Sequence, residues 1–388
     1  MAYEADLSFI YMNTTRTVFG RGVHRDARIE VQALGCQRAV VVTDSHLAGS
    51  TDIPARVEKT LGDCCVGVFS DVEPDSGVDI VNRGAELARE WGADCLVSVG
   101  GGSAMDTAKG MAVLLKEGGQ LRDYEGFQVL SRPQTPHVAI PTTAGTGSEV
   151  TYVAVIKDRE AGQKLLFGDH HIIPNTALLD PDLTLGLPPQ LTAATGMDAL
   201  SHAVESLHSL QRQPITDGLA MHAIRLIREF LPRAVDDGHD ALARGQMLIA
   251  ACMAGAAFSN AQVGLVHAMA HTVGARFSVH HGLANSILMP HVIRFNAEEQ
   301  AACYRPVAES LGVAVSGLDD AACAEAAARA VADLAGRVGL STRLSEQGVP
   351  EEALPELADG ALFDGAIVYN ARTVVEADEV LRVFKAAF

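Results

Sequence analysis

Hydrophobic and polar positions follow two different rhythms along this chain. In the first half, short apolar runs alternate with stretches in which apolar residues recur every three or four positions. RAVVVTD (38–44), CCVGVFSDV (64–72), DCLVSVGGG (94–102) and HVAIPTT (137–143) each read as a buried strand ending in polar residues or glycine. IPARVEKTL (53–61) and VDIVNRGAELAREWG (78–92) carry helical period between them. Such βαβ alternation predicts a mostly parallel, Rossmann-like sheet. From about Pro188 the strand-like runs disappear. Long Ala/Leu/Met-rich helical patterns over 191–210, 215–231 and 241–258 take over, and 375–388 reads as a terminal helix. The expectation is an α/β domain over residues 1–186 and an all-α domain over 187–388. The proline-containing segment 180–191 would be the hinge.

Composition agrees with two domains, because 388 residues exceed one ordinary core. The chain is 48% hydrophobic, yet no uninterrupted apolar run reads as a bilayer span. The opening MAYEADLSFI is acidic rather than basic-then-apolar, so the reading is a soluble, cytoplasmic protein. Seven cysteines form an odd, unpatterned set, as buried reduced thiols do. A net charge of −18 argues against nucleic acid and anionic membranes as partners.

Candidate chemistry concentrates in the helical half. Asp198 and His202 lie one turn apart in GMDALSHAVE, His267 and His271 repeat that spacing in GLVHAMAHTVG, and His281 precedes a glycine in SVHHGLANSILMPH. One carboxylate and three neutral imidazoles (Asp198, His202, His267, His281) suit a divalent metal such as ferrous iron or zinc. His271, one turn beyond His267, is a candidate proton carrier, with a packing role as its alternative. Phe258 and Val263, on the same helix as His267 or its approach, are candidate substrate-pocket walls, although ordinary core residues look the same. For His170 and His171 a structural or cleft-lining role outweighs metal binding, and His280 should point away from its neighbour.

The α/β half offers ligand-binding loops instead. VSVGGGSAMDTAKG puts three glycines between a strand and a helix, where backbone N–H groups and the helix dipole suit a pyrophosphate. A tight turn would need the same glycines. It is neither a GxGxxG fingerprint nor a GxxxxGK[ST] loop. PTTAGTGSEVT (141–151) follows another strand, and both loops would share the carboxyl edge where open α/β sheets bind ligands. Asp44 ends a third strand, placed either to hydrogen-bond a ribose or merely to form a turn. At about 4 Å and an effective dielectric near 20, two unit charges repel by roughly 4 kcal/mol, so a carboxylate there would favour NAD over NADP.

In order, the motifs FGRG (19–22), VVTD, GGGSAMDTAK, PTTAGTGSEVT, DPDL, GMDALSHAVE, HAMAH and HHGLANSILMPHVIRFN run almost end to end. With them the chain resembles the iron-containing (group III) alcohol dehydrogenases, the lactaldehyde reductase and propanediol dehydrogenase group. The resemblance implies a dinucleotide-binding domain, a helical metal domain with a cleft between them, and reversible NAD(P)-linked oxidation of a small alcohol, diol or hydroxyaldehyde. It carries Asp198, His202, His267 and His281 over as metal ligands, and Asp44 as the adenosine-ribose selector. It carries Gly100, Gly101, Gly102, Ser103, Asp106, Thr142, Thr143, Thr146 and Lys164 over as cofactor contacts. His271 matches a position near the nicotinamide and metal that does not hold the ion. The resemblance also implies a homodimer or larger assembly. One departure is VYNARTV (368–374), where many relatives carry Asn-Pro-Arg and this chain has Ala371.

The chemistry stands apart from the family name. A hydride leaves carbon only after the hydroxyl proton is gone, and a divalent cation makes that proton acidic. A lyase of the dehydroquinate synthase type shares the architecture, but its polyanionic substrate needs a basic pocket, and the ligand region here is nearly devoid of Lys and Arg. A non-catalytic metal- or nucleotide-binding protein fits poorly with two intact sets of sites.

Overall fold

Strand and helix alternate through the first of two units, Asn13–Leu185, because each buried apolar run needs an amphipathic helix to cover it. The computed structural model describes residues 7–161 and 163–388. In chain order the elements of this unit are β1 (Arg16–Phe19), α1 (Ala27–Ala33), β2 (Ala39–Asp44), α2 (Ser45–Ser50), α3 (Ile53–Leu61), β3 (Cys65–Val72), α4 (Val78–Glu90), β4 (Cys95–Gly100) and α5 (Gly102–Glu117). β5 (Gly126–Phe127), β6 (His137–Pro141), β7 (Val153–Asp158), β8 (Gln163–Gly168) and β9 (Thr176–Leu179) complete it. The main sheet runs β1-β9-β6-β4-β2-β3 and every pair in it is parallel.

The two-residue period of the strands divides the core. Val40, Val42 and Leu96 face α4 and α5, while Val41, Val97 and Val99 pack with Val57 and Leu61 of α3 and Ala27 and Val31 of α1. Chain order reverses between β2 and β4. The carboxyl ends at that switch point carry Asp44 and Gly100, the position where open α/β sheets bind ligands. Two outer strands and a small sheet β5-β8-β7, with β7 antiparallel to β8, were not foreseen. The outer strands are short, as are the apolar runs Val153–Ile156 of β7 and Leu165–Phe167 of β8. FGRG and DPDL meet: Asp180 accepts hydrogen bonds from the Gly22 and His24 N–H groups and pairs with His24 Nδ1, locking β1 to the end of β9. Gly22, at φ +81°, makes that turn.

The second unit is helical: α6 (Pro189–His208), α7 (Pro214–Asp236), α8 (Ala241–Ala261), α9 (Leu265–Phe277), α10 (His281–Gln300), α11 (Arg305–Ser310), α12 (Asp320–Arg337), α13 (Leu354–Leu362) and α14 (Ala377–Ala387). Its boundary is Gly186, within the proline-containing segment, and residues 7–12 belong to this unit rather than to the α/β one. The reason is local: Asn260 bonds both the N–H and the carbonyl of Met12. α8 is long and apolar enough to cross a membrane by length and composition, with a mean hydropathy of 1.4 over its best window. That window is 67% buried, and α8 packs against α6 and α7, so its apolar length serves a helical core.

Candidate active site

Helical spacing assembles the metal-type side chains. α6 presents Asp198 and His202 one turn apart, α9 presents His267 and His271 likewise, and α10 begins at His281. The ligand atoms of Asp198, His267 and His281 all lie within 4.8 Å of one another, with Asp198 Oδ1 3.6 Å from His281 Nε2. One ion with bond lengths near 2.1 Å can draw such a set together. His202 sits beside that triad rather than within its spacing, its ring stacked on His267 at 4.7 Å and on Phe258 at 4.3 Å.

The glycine after His281 has a steric reason. A Cβ at Gly282 would collide with the Ala194 carbonyl oxygen and stand 3.0 Å from Asp198 Cβ, so only glycine lets α10 start this close to α6. At the centre of the donors stands Asn285. Its Nδ2 donates to Asp198 Oδ1 at 2.8 Å and lies 3.1 Å from His281 Nε2 and 3.3 Å from His267 Nε2. Its Oδ1 is buried without a hydrogen-bond partner. Three acceptor atoms converging on one positively polarised N–H group form a site that suits a cation, so the residues fit a divalent metal.

Two carboxylates stand behind the histidines. Glu205, fully buried on α6, pairs with His267 Nδ1 and accepts the Val266 N–H at 2.8 Å. Burial opposes charge on both partners, but their mutual attraction prevails: the His267 pKa is raised and that of Glu205 lowered. This pairing fixes the ring so that Nε2 faces the donor cluster. Asp364 does the same for His271, accepting from its Nδ1 at 2.7 Å, and the His271 ring lies flat on that of His281 with centroids 5.3 Å apart. Burial acts upward on the Asp364 carboxyl, yet His271 brings it below its ordinary value.

In the α/β unit the two loops touch. A Cβ on Gly101 would lie 3.2 Å from Thr143 Oγ1, and one on Gly102 would lie 2.8 Å from Thr146 Cγ2. Gly100 sits at φ +155°, where a Cβ would approach Ala104 and lie 3.4 Å from Asp44 Oδ2. The Thr142 N–H closes the pair of loops by donating to the Gly100 carbonyl at 3.0 Å. Asp44 caps α2 by accepting the Leu47 N–H at 2.7 Å. Lys164, on β8, reaches Asp75 at 3.2 Å, and the Asp75 N–H donates to Ser103 Oγ. Asp106 is fully engaged inside the unit: Oδ1 accepts from Ser148 Oγ at 2.7 Å and Oδ2 from the Val155 N–H at 3.0 Å.

Comparison with known proteins decides what this pairing of sites is. Residues 14–181 match the iron-containing alcohol dehydrogenases and residues 192–388 match the C-terminal region of that family. The chain belongs to the iron-containing alcohol dehydrogenase family. It is 39% identical over 373 residues to the NAD-dependent methanol dehydrogenase of Bacillus methanolicus, covering 96% of this chain and 97% of the relative. It is 38% identical over 385 residues to the 1,3-propanediol dehydrogenase of Klebsiella pneumoniae, covering 98% and 99%. A crystal structure of a 1,3-propanediol oxidoreductase superposes with a TM-score of 0.95 at 37% identity, covering 98% of this chain and all of that one. As a member of this family the chain is an alcohol oxidoreductase.

The pocket-wall candidates divide between a helix and the approach to the next one. Phe258 belongs to α8, not to the helix of His267, and Val263 lies in the link between α8 and α9. Gln262, at φ +67°, ends α8 and separates them. Phe258 nonetheless reaches the site, through its stacking on His202. Beside the departure at Ala371, Asn370 is buried. Its side-chain carbonyl accepts from Leu265 N–H and Asn296 Nδ2, and its Nδ2 donates back to Asn296 Oδ1, so the segment anchors the start of α9 without a proline. Glu205, Asn285, Asp364 and Asp75 were missed. Glu205 and Asn285 carry a helical-spacing signal, three residues after His202 and four after His281; Asp364 and Asp75 come from distant loops and carry none.

Proposed function

We propose that the enzyme interconverts small primary or secondary alcohols with aldehydes or ketones, using NAD(H) and ferrous iron held by Asp198, His202, His267 and His281. Zinc is the alternative ion for the same donors. The observation that carries this reading is the convergence of Asp198, His267 and His281, with Glu205 holding His267 from behind. When bound, the ion supplies Lewis acidity toward the substrate oxygen and the nicotinamide accepts or returns the hydride.

The side chains do the rest. His271, oriented by Asp364, takes the hydroxyl proton in the oxidation direction and returns it on reduction. The backbone of Gly100, Gly101 and Gly102 with Ser103, Thr142, Thr143 and Thr146 binds the pyrophosphate end of the dinucleotide, and Lys164 approaches the same helix start through Asp75. Asp106 serves this loop pair by tethering it. Asp44 prefers a ribose hydroxyl to a phosphate, which supports NAD over NADP. Phe258 and Val263 line the substrate's approach. The names of the relatives, which act on methanol and 1,3-propanediol, support short alcohols and diols as substrates. A cytoplasmic location, supported by seven free cysteines, and a homo-oligomeric state complete the proposal.

The test is NADH oxidation by anaerobically purified protein, stripped of metal and reloaded with Fe²⁺ or Zn²⁺, against short aldehydes and ketones. Turnover restored by metal is the expected result. NADH binding without turnover on any carbonyl, with either ion, would overturn it.

A further inference from the structure

A cavity lies in the helical unit, beside the helix that begins with His281. It encloses about 390 Å³, a volume suited to a small metabolite, between α10, α12, α14 and the segment around Thr342. Ser286, Pro290, His291 and Arg294 of α10 line one side, and Arg343 and Lys385 line the other. Asn285, one residue before Ser286, belongs to the metal-type site, so α10 separates the two.

Three features give this cavity a chemical preference. Ser286, in the cavity wall, is 2% exposed, and among the described residues its Oγ has no hydrogen-bond partner. Among the described residues Arg343 and Lys385 make no ion pair, whereas Arg294 is held by Glu325 through both Nε and Nη2. His291 is kept neutral by burial and then by Arg294, its pKa pushed down to about 4, and its ring can therefore donate or accept. Phe388 also lines the cavity, its main-chain oxygen held by Ser345 Oγ at 2.6 Å.

We propose that this cavity binds a small molecule bearing an oxyanion group, a phosphate or a carboxylate, with Arg343 and Lys385 meeting the charge and Ser286 Oγ donating to one of its oxygens. Two or three charge-assisted hydrogen bonds, reinforced by the partly enclosed wall, give such a group a specific seat.

Isothermal titration of the full-length, metal-loaded protein tests this, with inorganic phosphate, pyrophosphate and citrate as probes at constant ionic strength. NADH is kept present so that the glycine loops do not compete for the probes. Saturable binding by at least one probe is expected. It should weaken at least tenfold in Arg343→Ala/Lys385→Ala and several-fold in Ser286→Ala, while turnover without added anion stays at the wild-type rate in the double variant. Preference for pyrophosphate over citrate would assign a phosphorylated ligand, and the reverse a carboxylated one. No saturable binding of any probe, or equal binding by the double variant, would overturn the proposal. Because binding is read directly, the result is independent of whether the catalytic reading holds.

Discussion

Glu205 grips Nδ1 of His267 from a position with no solvent access, one helix away from the ring it orients. The pair connects the polar pattern of α6 to that of α9 and turns two helical spacings into one donor site. Glu205→Gln keeps the shape but replaces a charged acceptor with a neutral amide. Loss of such an outer partner typically lowers metal affinity 10–100-fold. Competition titration with a chelator should show a drop of that size in a folded variant; unchanged affinity would mean that Glu205 is only a packing residue.

Gly282 tests the same site from its backbone. Gly282→Ala drives a methyl into the Ala194 carbonyl, an atom that cannot swing aside, so α10 must move away from Asp198. Metal content and turnover should fall together. Gly336 is the control: it lies exposed on α12 with open space at its Cβ. Gly336→Ala should stabilise the protein by about 0.4–1 kcal/mol with no effect on metal. Full metal occupancy in Gly282→Ala would contradict the steric account.

Asp44 is the handle on cofactor choice. Its Oδ1 caps α2, and Oδ2 stands toward Gly100 at the switch point. Asp44→Ser keeps a capping oxygen and removes the charge. The NADPH-to-NADH ratio of kcat/KM should rise about tenfold, a third of the roughly 4 kcal/mol repulsion estimated for two unit charges at 4 Å. A ratio that does not move would reduce Asp44 to a turn former.

Much of this was legible in the chain because it depends on local spacing. Val40, Val41 and Val42 announce a strand buried on both faces, and Asp198 with His202 announces one face of a helix. What stayed hidden depends on contacts between distant segments. Asp364 finds His271 across 93 residues, and Asn370 ties the start of α9 to Asn296 of α10 from the far end of the chain. The break between Phe258 and His267 stayed hidden for a related reason: three residues, Gln262 to Gly264, split what hydropathy reads as one apolar stretch.

Buried neutral histidines, His137 and His208 besides His291, make stability depend on pH. Burial, then Lys109, pushes His137 down to about 3, and burial pushes His208 down to about 4 against the pull of Glu205. Each folded-state value lies below the ordinary 6.5, so the unfolded chain binds more protons in between. Stability is therefore complete above about pH 6.5 and falls with acidification toward the folded pKa, by roughly 1.4 kcal/mol per pH unit per group. The single tryptophan, Trp91, lies in the same unit as His137 and reports that unit's unfolding. Urea midpoints followed by its fluorescence at pH 7.5, 6 and 5 should fall, and His137→Gln should flatten the slope by about one proton. An identical slope in the variant would refute the assignment to His137.

Lys109 closes the account of the glycine loops. It is fully buried, donates to Ser148 Oγ at 2.7 Å, Thr151 Oγ1 at 3.0 Å and the Val153 carbonyl at 2.8 Å, and stands 3.9 Å from Asp106. Burial lowers its pKa to about 8 despite the pull of Asp106 and Glu149. Asp106 and Lys109 together tie the loop 142–151 to α5, which begins beside Gly101. Lys109→Met removes one partner of a buried charged pair and leaves Asp106 uncompensated, a change that costs about 3–5 kcal/mol. The tethered loop then loses its register against the glycines. NADH affinity, measured well below the variant's lowered melting temperature, should fall at least tenfold, while metal content, set by α6, α9 and α10, stays at the wild-type level. If the folded variant binds NADH as tightly as the parent, Lys109 stabilises the unit without shaping the cofactor site.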